Sequence, residues 1–217
     1  MNSQNPSAVI FDVDGTLVHS APDVIADLGS SIEECGLCVP EDLNQNLIGP
    51  PMIEIIQKLV PSASDDIHQE IFQKFRHKHD SSDLNLTRPY DGVFATLELL
   101  SLQSVPLFVA TNKPRKGVLN LLDKLGLKPF FRDIACFGDP HIGSKFDSVN
   151  SILSRNNLVR NTSWMIGDAP SDILAGQKNQ TKTIAHLGGY SAPEKLLATE
   201  PDYVANSMVD VLKFFKT

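Results

Sequence analysis

Two aspartates, Asp12 and Asp14, stand one residue apart, directly after the apolar run Ala8–Phe11 and just before Gly15. If that run is a buried strand, both carboxylates can face one cavity where the chain turns. Phosphoryl transfer needs an oxygen nucleophile, a proton donor and neutralisation of charge. Asp12 can attack phosphorus, while Asp14 can protonate the leaving oxygen and then accept a proton from water. An acidic turn with side-chain hydrogen bonds to its own backbone is the structural alternative.

A second pair of aspartates, Asp168 and Asp172, follows the apolar run Ser163–Ile166. Together with Asp12, these carboxylates offer an oxygen-rich ligand set for a small hard cation. Mg²⁺ suits such a set because it binds one or two carboxylates together with water and phosphate oxygens. A helix that starts at Pro170, capped by an aspartate, explains the same residues structurally. The two interpretations are compatible.

Two further positions could hold a phosphoryl group and offset its charge. Thr111 and Asn112 follow the apolar run Val105–Ala110, and a hydroxyl with backbone amides there could bind phosphoryl oxygens. The same residues, ahead of Pro114, would also suit a helix cap. Lys145 could bridge the nucleophile and the phosphoryl group. For a lysine taken singly, however, a solvated surface position is the simpler interpretation.

The elements that carry these residues must bring them to one place. Short apolar runs alternate with helical patterns, which predicts an α/β fold with a Rossmann-like, doubly wound parallel sheet. The carboxyl ends of parallel strands meet at one edge, where such folds bind ligands. The predicted strands are Ala8–Phe11, Val105–Ala110, Asp133–Phe137, Ser163–Ile166, Thr181–Leu187 and Tyr203–Val204, and the predicted helices are Asp91–Leu102, Lys116–Leu125 and Ser148–Asn156.

One long segment, about Asp23–Leu86, interrupts the alternation and contains only helical patterns. Apolar residues fall on one face in each of its three helical stretches. The sequence therefore predicts an inserted all-helical cap domain, residues 21–87, in a core domain formed by residues 1–20 and 88–217. The short connections at its two ends would act as a paired hinge.

The composition of the 217-residue chain limits its partners. A formal net charge of −7 gives no bulk attraction to nucleic acid or anionic membrane. No apolar run reaches the roughly 18 residues of a membrane helix. Because Met1–Ser7 is polar and lacks a basic residue ahead of an apolar stretch, we expect no secretory signal and a cytoplasmic location. Cys35 and Cys38 have the spacing of a metal or redox pair, but no second ligand pair lies at zinc spacing, which favours free thiols.

At these motifs the chain resembles the haloacid dehalogenase-like hydrolase superfamily, and within it the phosphoglycolate phosphatase group. The similarity rests on DVDGT at 12–16, TNKP at 111–114, the region of Lys145 and GDAPSD at 167–172. The helical insertion resembles the cap that follows the first motif in that superfamily. The resemblance implies Mg²⁺ as cofactor and a small phosphorylated metabolite as substrate, and we expect a monomer or a homodimer.

The resemblance also implies catalytic roles. Asp12 corresponds to the nucleophile and Asp14 to the general acid and base. Lys145 corresponds to the residue that stabilises the phosphoaspartate region. Thr111 and Asn112 correspond to residues that bind phosphoryl oxygens.

For the metal, the resemblance implies ligation by Asp12, the backbone carbonyl of Asp14 and Asp168. Asp172 would support the site through the waters that ligate the ion. The loop around Gly49 resembles the substrate loop of the family's cap.

Two positions depart from the pattern of the group. Phe146 follows Lys145 where the group usually has proline, which could alter the loop of the third motif. His19 stands where the group commonly has aspartate, so the first cap connection could differ.

The leading hypothesis is hydrolysis of a small, 2-phosphoglycolate-like phosphate monoester through an aspartyl-phosphate. A phosphomutase would use the same chemistry and is favoured by an extra cation in the cap loop, but residues 44–57 contain no Lys or Arg. A dehalogenase would leave Asp14 and the metal-binding acids without a task. A non-catalytic phosphate-binding protein is expected to lack Asp12 or Asp14, and both are present.

Overall fold

The strands of the computed structural model form one main sheet and one small ribbon. The model describes residues 6–215, so most of the N-terminal segment considered for a leader lies outside the described residues. In chain order the strands are β1 (Ala8–Phe11), β2 (Val18–His19), β3 (Arg88–Pro89), β4 (Leu107–Pro114), β5 (Phe131–Phe137), β6 (Ser163–Gly167), β7 (Lys182–His186) and β8 (Tyr203–Ala205). The main sheet has the order β5-β4-β1-β6-β7-β8, and every neighbouring pair in it runs parallel.

Helices connect the strands and form the insertion. In chain order they are α1 (Ala21–Glu33), α2 (Met52–Leu59), α3 (Asp65–Ser81), α4 (Val93–Leu102), α5 (Arg115–Lys124), α6 (Lys145–Arg155), α7 (Pro170–Lys178), α8 (Pro193–Leu197) and α9 (Met208–Val211). In the part of the chain that the structure describes, no helix has the length and apolar character needed to cross a membrane.

The main sheet is covered on both faces, as a doubly wound fold requires. In β1, Val9 and Phe11 pack into one apolar cluster with residues of α4, α5 and α9. Ala8 and Ile10, which alternate with them, pack into a second cluster with residues of α6 and α7. All four β1 side chains are fully buried, so this strand is held rigidly at the centre of the sheet. The predicted α/β class and doubly wound parallel sheet are confirmed.

The predicted strands are confirmed as elements, although their ends differ. β1 has the predicted bounds, whereas β4 was expected to end at Ala110 and continues to Pro114. The turn-forming residues of TNKP predicted a loop, but β4 remains paired with β5 through Thr111 and again at Pro114, with an irregularity between them. Thr111 therefore stands inside a strand, where its backbone is better fixed than in a loop.

The insertion between β2 and β3 is helical, as expected, and has an apolar core of its own. Side chains of α1, α2 and α3, among them Leu28, Ile56 and Ile71, form a cluster separate from the two clusters on the faces of the main sheet. The boundaries at residues 21 and 87 stay a prediction.

The two connections of the insertion lie side by side. β2 and β3 pair as a two-residue antiparallel ribbon that the sequence did not reveal. Next to it, the carboxylate of Asp23 accepts hydrogen bonds from the Thr87 hydroxyl at 2.6 Å and from the Leu86 amide at 3.1 Å. The Tyr190 hydroxyl accepts hydrogen bonds from the amides of Ser20 and Ala21, at 2.7 and 2.9 Å. The two connections of the insertion are therefore hydrogen-bonded to each other, and the first is also hydrogen-bonded to Tyr190 of the core.

Candidate active site

The acidic residues meet because β1 lies between β4 and β6. Asp12 follows β1, Thr111 stands in β4 and Asp168 follows β6. Because all three strands run parallel, their carboxyl ends reach the same edge of the sheet. The amide of Asp12 donates a hydrogen bond to the carbonyl of Ile166 in β6 at 3.0 Å, which extends the pairing to the aspartate itself. Residues 156 positions apart in sequence, Asp12 and Asp168, are thereby neighbours.

Lys145 is the cation at the centre of the acids. It begins α6, and its ammonium lies 2.6 Å from Oδ1 of Asp12 and 2.9 Å from Oδ1 of Asp172. It also donates a hydrogen bond to the carbonyl of Ala110 at 3.2 Å. The residue is 5% exposed, so the surface-lysine interpretation is wrong. Burial by itself would lower the pKa of Lys145, but Asp12 and Asp172 raise it above its usual range, and the side chain stays charged.

Asp168 and Asp172 are held in place by neutral donors. The Thr16 hydroxyl and the Tyr190 amide each donate to one oxygen of Asp168, both at 2.8 Å. Asp172 stands in the first turn of α7, and its Oδ2 accepts a hydrogen bond from the Ala169 amide at 3.0 Å. The helix starts at Pro170 with Asp172 in its first turn, as the structural interpretation expected, but the residue at the N-cap is Ala169 and not an aspartate. Asp172 combines this helical position with a place in the acidic cluster.

Two glycines allow the backbone to approach Asp168. Gly15 has a φ of +88°, and a Cβ there would lie 2.3 Å from Oδ2 of Asp168. A Cβ on Gly189 would lie 2.2 Å from Cβ of Asp168. No real Cβ contact is that short, so a side chain at either position would displace the carboxylate. The local sequence thus protects the position of this aspartate.

The acidic cluster fits a divalent cation. Asp12, Asp168 and Asp172 are all buried, and one ligand oxygen from each lies within 4.8 Å of the others. Three carboxylates face one ammonium, so the cluster keeps an excess of negative charge. Oδ1 of Asp172 receives no hydrogen bond from the described residues, although Lys145 is near it. A hard cation with oxygen ligands, such as Mg²⁺, would offset this excess of negative charge.

The pKa values reflect the same excess of charge. Burial raises the pKa of Asp12 to about 7, with Lys145 opposing the shift and Asp172 adding to it. Burial, Asp12 and Asp172 raise the pKa of Asp168 well above its usual range. A cation bound among these carboxylates would favour their ionised forms.

Asp14 lies in a different electrostatic environment. The Ser20 hydroxyl donates to its Oδ1 at 2.5 Å, and the ammonium of Lys113 lies 3.3 Å from the same oxygen. Burial would raise the pKa of Asp14, but Lys113, Ser20 and His79 together lower it below its usual value. Asp12 and Asp14 therefore have pKa values pushed in opposite directions, a pattern found where two carboxyl groups have different catalytic tasks.

Lys113 connects Asp14 to the helical insertion. Its ammonium lies 3.1 Å from Nε2 of His79 in α3, and Nδ1 of His79 lies 2.8 Å from Oδ2 of Asp27 in α1. Lys113, His79 and Asp27 were not predicted from the sequence as parts of the site. His79 lies in a predicted helical stretch, but nothing in the sequence indicated that it is buried or that it faces β4.

Thr111, Asn112 and Gly49 also meet near the strand ends. Thr111 is buried, and its hydroxyl accepts a hydrogen bond from the Lys113 amide at 3.1 Å. The side-chain amide of Asn112 donates to the carbonyl of Gly49 at 2.7 Å, while its Oδ1 is buried without a partner among the described residues. Gly49 has a φ of +137°, which favours glycine at this contact between insertion and core.

The two positions that depart from the pattern of the phosphoglycolate phosphatase group, Phe146 and His19, leave the acidic cluster intact. Phe146 is 39% exposed, and it follows Lys145 without displacing the ammonium from Asp12. His19 packs its ring near those of Tyr90 and Tyr190, at centroid distances of 5.8 and 5.9 Å.

A cavity of about 80 Å³ separates the insertion from the strand ends. One water molecule needs about 10–15 Å³ of such a cavity, so the cavity suits a small molecule. The core side includes Asp12, Asp14, Thr111, Asn112, Lys113 and Phe137, and the insertion side includes Ile48, Gly49, Met52, Phe72, Phe75, Arg76 and His79.

Known proteins share both the sequence and this fold. A family profile described as haloacid dehalogenase-like hydrolase matches residues 9–186. Pyrophosphatase PpaX of Bacillus pumilus is 31% identical over 219 residues, which cover 98% of this chain and 97% of that protein. Phosphoglycolate phosphatase of Aquifex aeolicus is 30% identical over 210 residues, or 94% of each chain. The solved structure of a predicted phosphatase from Clostridium acetobutylicum matches with a TM-score of 0.88 at 25% identity, covering 97% of this chain and 98% of that one.

The matched region begins within β1 and ends with β7, and so includes the strands that carry Asp12, Thr111 and Asp168. It also includes Lys145 and the whole helical insertion. With relatives similar over nearly their full length, the chain belongs to the haloacid dehalogenase-like hydrolase family.

Proposed function

We propose that this protein is a Mg²⁺-dependent phosphatase that hydrolyses small phosphate monoesters, 2-phosphoglycolate among them, through an aspartyl-phosphate. The observation that carries the proposal is the buried cluster in which Asp12 meets Lys145, Asp168 and Asp172 beside a small cavity. Relatives named phosphoglycolate phosphatase and pyrophosphatase PpaX support the reaction class. Both names describe hydrolysis of a small phosphorylated compound.

In the first step, an oxygen of Asp12 attacks phosphorus, and the bond from phosphorus to the ester oxygen breaks. Lys145, 2.6 Å from Oδ1 of Asp12, offsets charge on the carboxylate and on the phosphoryl group that joins it. Asp14 gives its proton to the leaving oxygen. Its pKa is lowered in the ligand-free site, and the negative phosphoryl group of a substrate would raise it, because like charges disfavour ionisation.

In the second step, water attacks the aspartyl-phosphate, and Asp14, now a carboxylate, takes the proton from that water. Cleavage of the acyl phosphate restores Asp12 and releases inorganic phosphate. Thr111 and Asn112 stand beside Asp12 in the cavity and would hold the phosphoryl oxygens during both steps. The amide of Asn112 has two N–H donors, so it can keep its bond to Gly49 and still donate to a phosphoryl oxygen.

Mg²⁺ would be held by Asp12, Asp168 and the backbone carbonyl of Asp14, with Asp172 supporting it through waters. When bound, the ion would neutralise charge on the phosphoryl oxygens. The carboxylates fit this task because they are buried, close together and in excess over their one cation.

The helical insertion, proposed as a cap domain of residues 21–87, would exclude bulk water from the site. It contributes one side of the cavity, and contacts from His79 and Gly49 join it to the strand ends. Excluding water strengthens the electrostatic contacts around the phosphoryl group. A cap in this position also limits substrates to small molecules.

A screen of small phosphate esters for release of inorganic phosphate, with Mg²⁺ and with EDTA, tests the proposal. We expect turnover with Mg²⁺, loss in EDTA and recovery when Mg²⁺ is added in excess. Asp12→Asn should abolish turnover while the far-UV circular dichroism spectrum stays unchanged. Turnover by this variant within tenfold of wild type, a barrier change of only about 1.4 kcal/mol, would refute Asp12 as nucleophile. Transfer of the phosphoryl group to a sugar phosphate instead of water would identify a phosphomutase.

A further inference from the structure

The insertion side of the cavity is mostly apolar but contains one arginine. Arg76 stands in α3, among lining residues that include Ile55, Phe72 and Phe75. Its Nε is buried and has no hydrogen-bond partner among the described residues. Within the same part of the chain, no carboxylate lies within 4.0 Å of its guanidinium, since no ion pair involves it. A buried donor without an acceptor is unfavourable unless a ligand completes it.

The other charges that line this cavity have partners. Asp12 is paired with Lys145 at 2.6 Å, and Asp14 with Lys113 at 3.3 Å. Asp80, one turn beyond Arg76 in α3, lies 3.6 Å from the ammonium of Lys116. The pairing leaves Arg76 as a positively charged group on the insertion side of the cavity with no ion-pair partner among the described residues. The cavity therefore has room and charge for an anion in addition to the phosphoryl group held near Asp12.

The position of the guanidinium is set by an aromatic ring. Its central carbon lies 5.8 Å from the ring centroid of Phe72, within the range of a cation–π contact. Such a contact is electrostatic and leaves the N–H groups of the guanidinium available to donate. Those N–H groups form a planar fork that matches the two oxygens of a carboxylate or a phosphoryl group.

We propose that Arg76 binds a second anionic group of the substrate, so that this protein selects small phosphate esters with a carboxylate or a second phosphoryl group. This inference rests on the proposed phosphatase function and specifies its substrate class. Asp12 on the core side receives the phosphoryl group that is transferred. Arg76 on the insertion side binds the remaining anion, which orients the ester and favours the closed position of the insertion.

The test compares three substrates with wild type, Arg76→Gln and the matched variant Lys74→Gln. Lys74 stands in the same helix, pairs with Glu70 at 3.5 Å and does not line the cavity, so it controls for the loss of one positive charge from α3. The substrates are 2-phosphoglycolate, pyrophosphate and ethyl phosphate. Ethyl phosphate resembles 2-phosphoglycolate in size but has no second anion.

For Arg76→Gln we expect kcat/KM to fall by about thirtyfold or more on an ester whose second anion Arg76 binds. On ethyl phosphate the change should stay below about threefold, and the larger part of the selective loss should be in KM. Lys74→Gln should behave as wild type on all three substrates. A selective loss on 2-phosphoglycolate identifies a carboxylate as the second anion, and a selective loss on pyrophosphate identifies a phosphoryl group.

A loss of equal size on all three substrates, or no loss on any, would overturn the role of Arg76. Thermal unfolding of each variant checks that it folds. If Arg76→Gln does not fold, Arg76→Lys replaces it in the comparison. Arg76→Lys keeps the charge without the planar fork, so its selectivity should lie between those of wild type and Arg76→Gln. A wild-type protein that is inactive on both esters and on pyrophosphate would instead refute the proposed phosphatase function. That result differs from an active wild-type protein whose Arg76→Gln variant loses the same activity on all three substrates, or none, which refutes only the role of Arg76.

Discussion

Removing the buried ammonium of Lys145 should destabilise the protein as well as inactivate it. In Lys145→Met, the carboxylates of Asp12 and Asp172 lose a partner at 2.6 and 2.9 Å in a site where the lysine is only 5% exposed. Breaking a buried ion pair typically costs about 3–5 kcal/mol, because the remaining charge is left without compensation. For a chain of this size, that loss corresponds to a decrease in Tm of about 6–20 °C.

The sign of the pH dependence follows from the carboxylates. Without Lys145, the pKa of Asp12, already raised to about 7 by burial, should rise further. A carboxyl group whose pKa is higher in the folded state binds more protons when folded, so stability falls as pH rises towards that pKa. The difference in Tm between Lys145→Met and wild type should therefore be larger at pH 8 than at pH 5. Saturating Mg²⁺ should reduce the difference at pH 8, because the ion supplies positive charge to the same oxygens.

Differential scanning calorimetry of the metal-free and Mg²⁺-loaded proteins measures these effects. Lys116→Met is a suitable control, since its ammonium lies 3.6 Å from Asp80 but is 67% exposed, and such a pair contributes below about 1 kcal/mol. Phosphatase turnover should also fall about 10²–10³-fold in Lys145→Met, the usual cost of losing one preorganised positive contact. Equal Tm changes for the two variants at pH 8, with turnover within tenfold of wild type, would refute this account of Lys145.

The metal site and its glycines give two further predictions. Because burial raises the pKa of Asp12 to about 7 and also raises that of Asp168, protons should compete with Mg²⁺, and its apparent affinity should fall by at least about tenfold per unit of pH below 7. Calorimetric titration at pH 6, 7 and 8 measures this, and an affinity independent of pH would contradict it. Gly189→Ala should weaken Mg²⁺ binding strongly, because its Cβ would lie 2.2 Å from Cβ of Asp168. Gly143→Ala, whose Cβ would come no closer than 3.9 Å to Asp147, should bind as wild type does.

The parts of the fold that the sequence predicts well are those with local signals. β1 has the predicted bounds because four apolar residues end at an abrupt change to acids and glycine. The two-residue strands β2 and β3 could not be predicted, since a pair that short has no periodicity. β4 was predicted too short, because Thr111–Pro114 has the composition of a turn while tertiary pairing with β5 keeps it extended.

The acidic part of the site could be predicted for a related reason. Each aspartate follows an apolar run, and parallel strands bring their ends to one edge. Lys145 taken singly favoured a solvated position, and only its place among the other strand ends and the resemblance put it in the site, where it is buried between two carboxylates. Arg76 and His79 had no such signal, since charged residues are common on any exposed cap helix. Their importance depends on how α3 packs over the strand ends.

Two groups of site residues are formed jointly by the insertion and the core, so neither part of the chain predicts them alone. Asp14 is joined through Lys113 to His79, a residue of the cap, and Asn112 is joined to Gly49 of the cap loop. Opening the insertion would break both connections and remove His79 from its place beside Lys113. Lys113 and Ser20 lower the pKa of Asp14 from the core side, and His79 adds a contribution that depends on the closed position of the insertion. Closure would therefore favour the carboxylate form of Asp14, which takes the proton from water in the second step, whereas the negative phosphoryl group of a bound substrate would favour the protonated form that the first step needs.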